Sequence, residues 1–106
     1  GRENAGVLLL ERRLRQFPNS RSVLRDLLVA YREAGRAEDE YSIAERMTSL
    51  DPDNASCWFA RAHAAEKVSQ PKNAVAAYRR AVELGLQEPD MSLAKSRIEA
   101  LEESGE

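Results

Sequence analysis

One cysteine, one histidine, four prolines and five glycines occur in the 106 residues, and the longest run of large aliphatic side chains is Val7–Leu10. Cys57 has no second thiol in the chain, so no internal disulfide can staple the fold. A single imidazole excludes a histidine-based zinc site. His63 and Cys57 make two ligands at most, and a separation of six turns them about 240° apart on a helix. Gly1, Gly6, Gly35, Gly85 and Gly105 are too scattered to build a phosphate-cradling loop. Nothing approaches the roughly 20 consecutive apolar residues of a bilayer-crossing helix, so no membrane insertion is expected. Sixteen basic against eighteen acidic side chains leave a net charge of -2. No positive field draws the chain to a phosphate backbone, and nucleic acid is not expected as a partner. Carboxylate pairs such as Glu102 and Glu103 read as a solvated helix face, and no nucleophile, base and oxyanion donors assemble. The chain is expected to be non-catalytic, without metal or cofactor.

What is present is one small domain's worth of helix-forming sequence. Apolar residues make up 42% and charged residues 32%, enough to argue against disorder. A fold of this size buries roughly 65% of its unfolded surface, so a core forms without staples. The opening Gly1-Arg2-Glu3-Asn4 has neither an initiator Met nor a leader, which makes a segment of a longer protein the expectation. The lone thiol is compatible with a cytoplasmic or a bacterial periplasmic setting.

A period runs through the chain. Pro18, Pro52 and Leu86 are spaced by 34 residues, and the same shift carries Leu24 onto Trp58, Ala30 onto Ala64, Gly35 onto Ser69 and Leu50 onto Leu84. Within a period the apolar spacing is helical. Leu24, Leu27, Leu28 and Tyr31 fall at i, i+3, i+4 and i+7, and Gly35 ends that helix. Ala37, Tyr41, Ala44 and Met47 make a second stripe, after which Asp51-Pro52-Asp53-Asn54 stops one helix and caps the next. The second period repeats the hairpin with Trp58, Ala62 and Ala65, then Ala74, Tyr78 and Ala81, with Ser69 and Pro71 expected as N-cap and first-turn residue. A helix with Val7, Leu10 and Leu14 precedes them, and one opened by Pro89 with Met91, Ala94, Ile98 and Leu101 follows. Six helices are expected.

These residues resemble the tetratricopeptide repeat (TPR), whose 34-residue signature runs W-x2-L-G-x2-Y, then A-x3-F, then P. Residues 21–54 match it at Leu24, Leu27, Tyr31 and Pro52, and depart at Leu28, Glu40 and Ala44. Residues 55–88 match it at Trp58, Ala62, Ala74 and Tyr78, and depart at Arg61, Ala65 and Leu86. The resemblance implies an all-α, right-handed superhelical solenoid: a partial-repeat helix over 4–17, two repeats, and a capping or further helix over 89–104. Trp58, Tyr31 and Tyr78 are expected between hairpins, and Glu40, in a place meant for a small buried residue, is expected to turn its carboxylate to the rim.

The resemblance also implies a site. The first helix of each TPR hairpin lines a concave groove, which here assigns Ser22, Arg25, Val29 and Arg32, then Ser56, Phe59, His63 and Glu66, with Leu93 and Arg97 from the last helix. Arg25, Val29, Arg32, Phe59, His63, Glu66 and Arg97 are the expected partner-binding residues. The expected ligand is a protein or peptide segment with apolar and acidic groups. The carboxylate clamp of TPR cochaperones is not expected, because its places fall on Arg25, Val29, Ala60, Asp90 and Ala94, of which only Arg25 suits. The alternative is a structural spacer in a longer solenoid, for example in a bacterial periplasmic assembly or polysaccharide-export protein. Val7, Leu10 and Leu14 are expected to leave an apolar face open to self-association through the terminal helices.

Overall fold

The computed structural model describes residues 2–104. These form six helices, α1 (Arg2–Gln16), α2 (Arg21–Glu33), α3 (Ala37–Leu50), α4 (Ala55–Lys67), α5 (Pro71–Leu84) and α6 (Asp90–Ser104), and no strand occurs among the described residues.

The 34-residue spacing recurs in how α2, α4 and α6 begin. Ser20 accepts from the Val23 amide at 3.3 Å, and Asn54 accepts from Ser56 and Cys57 at 3.0 and 3.3 Å. Glu88 accepts from the Ser92 amide at 2.9 Å. Each satisfies first-turn N–H groups that have no partner within the helix. The endings of α2 and α4 repeat in the same way. Gly35 and Ser69 both adopt positive φ, 71° and 59°, and beyond them the Arg36 and Gln70 amides donate back to the Tyr31 and Ala65 carbonyls, both at 2.9 Å. That six-to-one closure needs a left-handed residue before the donor.

Ser69 is therefore not the N-cap expected of it. It closes α4, while Gln70 takes the N-cap position without a side-chain hydrogen bond and Pro71 starts α5. Pro71 fits there because the first helical N–H has no acceptor to lose.

Each helix packs against its neighbours in the chain, giving a body of 40 × 27 × 21 Å. The core runs through it from Val7 to Ala94. Leu24, Leu27, Ala44, Ala62, Ala65, Ala74, Tyr78 and Ala81 are all fully buried. Alanines at these crossings bring helix axes close; Tyr31 reaches back to Glu11 of α1, while Tyr78 packs on Phe59 of α4, the first helix of its own hairpin. On α6 only Ala94 is buried, and Glu99, Glu102 and Glu103 are exposed, so its outer side is polar.

Two core expectations are corrected. Trp58 is half-buried, packed on the core edge with its indole N–H donating to the Pro52 carbonyl at 2.8 Å; the adjacent Cys57 faces inward instead. On α1, Val7 is buried and Leu10 and Leu14 pack against the core, so the open apolar residues are Leu8 and Leu9. The stripe expected to be uncovered is the one that α2 covers.

Candidate functional site

α2 and α4 border a cleft of about 400 Å³ lined by Leu28, Arg32, Ser56, Phe59, Ala60, His63 and Lys67. Its floor is aromatic. The Phe59 and His63 rings meet edge to face at 4.9 Å, as expected for side chains four apart on one helix, and buried Tyr78 of α5 approaches them at 5.8 and 5.9 Å. Burial pushes the His63 imidazole below its ordinary value; Arg32 and Lys67 act in the same direction, against Glu66 and Glu40.

Below this cluster, Glu66 accepts from the Tyr78 hydroxyl and from the Arg97 guanidinium of α6. Burial alone would raise the Glu66 carboxyl, but Arg97 and the Tyr78 hydroxyl hold it below the ordinary carboxylate range. The same environment moves Tyr78 the other way: burial, and then the hydrogen bond to Glu66, push its hydroxyl well above the ordinary phenol value.

Glu40 does not reach the rim. It is 1% exposed, and its carboxylate accepts from Arg32 Nε at 3.2 Å and from Lys67 Nζ at 2.9 and 3.2 Å. A buried carboxylate requires such partners, since an unpaired charge in the interior is strongly unfavourable. The helix ends contribute as well. Glu40 sits in the first turn of α3, where the helix dipole is positive, and Arg32 and Lys67 sit in the last turns of α2 and α4, where it is negative.

The structure brings some of the expected site residues together and separates others. Arg32, Phe59 and His63 share the α2/α4 cleft, and Glu66 and Arg97 adjoin it through Tyr78. Arg25 lies instead in a recess of about 170 Å³ with Arg21, Met47, Leu50 and Cys57, and Val29 is 48% exposed and lines neither cavity. Lys67 is a cleft-lining residue missing from the sequence reading, and Glu40, expected at the rim, is buried behind it. The sequence put a carboxylate at a place meant for a small buried residue, and the packing of α4 set which cation meets it.

The Cys57 thiol, 7% exposed, is raised by burial and is no activated nucleophile. Among the described residues no group of three His, Cys, Asp or Glu side chains could hold a metal ion, and no helix is long and apolar enough to cross a membrane. No known family's sequence profile matches the chain, and no curated protein matches it.

Proposed function

We propose that the chain is a TPR-type segment, its hairpins stacked as a right-handed superhelical solenoid, and that it serves as a non-catalytic protein-interaction module. The fold reading is supported by caps, helix closures and buried positions that recur every 34 residues, as at Gly35 and Ser69. The interaction reading rests on one observation: Phe59 and His63 face a cleft beside Arg32 and Lys67, which remain 46% and 40% exposed although both bind Glu40. Aromatic and arginine side chains in a recess are the types that dominate binding energy. The ligand is a protein or peptide segment that places an apolar side chain against Phe59 and a carboxylate near Arg32 and Lys67.

Ala60 lines the cleft and is only half-buried, so Ala60→Glu fills the site and repels an acidic ligand in a good helix-forming residue. Peptides selected on the immobilised chain from a random library should carry acidic and large apolar residues. They should bind Ala60→Glu at least tenfold more weakly, about 1.4 kcal/mol, with the melting temperature held. Equal binding by both proteins overturns the reading.

The alternative, a spacer that binds nothing in this groove, is favoured by the internal pairing of Arg32 and Lys67 with Glu40 and of Arg97 with Glu66. Failure of the library to yield any binder would assign the chain to that class.

A further inference from the structure

In the 34-residue register α1 matches α3 and α5. Gly6, Leu9 and Arg13 stand where α3 has Glu40, Ile43 and Met47 and where α5 has Ala74, Ala77 and Ala81. On α3 and α5 all of these positions are buried, none more than 9% exposed. On α3 the preceding helix reaches two of them, and on α5 it packs on the neighbouring Tyr78. Arg32 of α2 binds Glu40, Leu24 and Arg25 of α2 share a recess with Met47, and α4 sets Phe59 and Glu66 against Tyr78 of α5.

On α1 the same stripe is open. Leu9 is 65% exposed and Gly6 and Arg13 are exposed, and with Leu10, Arg12 and Gln16 they border a trough of about 510 Å³. Gly6 is informative by its smallness. A glycine inside a helix weakens it, and a Cβ added at Gly6 would meet nothing within 4 Å. No contact among the six helices uses the space. Its register mate Ala74 is a small residue fully buried on a helix packed between α4 and α6, so a glycine here suits the close approach of another helix.

We propose that α1 docks a partner helix. It is amphipathic, runs antiparallel to α1, and lies on Gly6, Leu9 and Arg13 in the pose that α2 takes on α3. Charge specifies it further. Arg12, Arg13 and Arg15 are exposed and make no ion pair with the described residues. Since Met47, the mate of Arg13, shares its recess with Arg21 and Arg25 from the first turns of α2, the partner carries acidic side chains in its own first two turns. A second copy does not fit. Its α1 would set arginines against arginines, and the α6 residues matching Leu24, Leu27, Leu28 and Tyr31 are Ser92, Lys95, Ser96 and Glu99, all exposed and polar.

The test tethers the partner to the full chain, which raises its effective concentration without adding contacts. A copy of residues 20–36 is spliced directly before Glu3, the place the register assigns, either unchanged or with Arg21→Glu and Arg25→Glu in the copy. The acidic extension should raise the melting temperature by at least about 5 °C, and the unchanged one by less. Leu9→Glu should abolish the rise, while in the unextended chain it leaves the melt unchanged because Leu9 is already in water. No rise with the acidic extension, equal rises for both, or a rise that survives Leu9→Glu overturns the proposal. Sedimentation of the unextended chain should show a monomer; a reversible dimer dispersed by Leu9→Glu would give the face to a second copy and overturn it as well.

Discussion

Lys67 Nζ, at the end of α4, donates to both carboxylate oxygens of Glu40, at 2.9 and 3.2 Å, although Glu40 sits in the first turn of α3 and is 1% exposed. With Arg32 closing in from α2, the carboxylate joins three helix ends at one buried point. It takes the place that Ala74 fills in the next period, where the register mate of Arg32 is Glu66, itself paired with Arg97.

Glu40→Ala should therefore cost about 2 kcal/mol. Lost hydrogen bonds to a charged group contribute about 1.5–3 kcal/mol, and the cost stays below that of a fully buried pair because Arg32 and Lys67 can turn to water. Urea unfolding measures it. A stability gain would mean that desolvating Glu40 outweighs its two partners.

Gly35 and Ser69 offer a reciprocal pair. Ser69 holds φ 59° as a non-glycine residue, and Ser69→Gly should raise stability by about 0.5–1 kcal/mol. Gly35→Ala should lower it by about 1 kcal/mol or more, since the new Cβ meets nothing within 4 Å and only backbone strain acts. Opposite signs in thermal melts are the expected outcome; equal signs would contradict a shared helix closure.

Trp58 is an edge residue whose indole donates to Pro52 and whose ring carries the Arg61 guanidinium 5.1 Å from its centroid. Trp58→Phe should cost about 1 kcal/mol, the usual net worth of one hydrogen bond. Trp58→Ala should cost about 2–3 kcal/mol, less than the about 3–5 kcal/mol of a fully buried aromatic. Chemical denaturation of the two variants separates ring packing from the hydrogen bond.

Acid should weaken the fold in two stages. The folded His63 imidazole lies below its ordinary 6.5, so as pH falls through 6.5 the unfolded chain takes up the proton first. Stability declines from there until the folded imidazole also protonates. Glu66 lies below its ordinary 4.5; its contribution is complete above 4.5 and is lost as pH falls through its lowered value. His63→Phe, which keeps a ring against Phe59 and Tyr78, should remove the upper stage alone in unfolding curves taken across pH.

Helix number, type and most of the buried stripe were legible because they depend on spacing along one chain. Leu24, Leu27, Leu28 and Tyr31 are buried as their i, i+3, i+4, i+7 pattern requires. The Asn54 cap was legible for the same reason, since its short carboxamide reaches only its own next turn. Ser69 was misread because a serine before Pro71 suits a cap locally, while the closure of α4 needs a left-handed residue at that place.

The candidate site was less legible. Arg25 and Arg32 lie on one face of α2, yet they border different cavities, because α4 and the end of α3 divide the space beside α2.

By itself the sequence determined the period and the six helices of the described residues, set by spacing along the chain and by interactions within about a turn of helix. Tertiary structure alone decided the fate of the charges. Glu40 is buried and Glu66 is tied to Arg97 because side chains 27 and 31 residues away arrive from other helices. Whether a carboxylate meets water or a cation depends on what packs over it, and no spacing within its own helix records that.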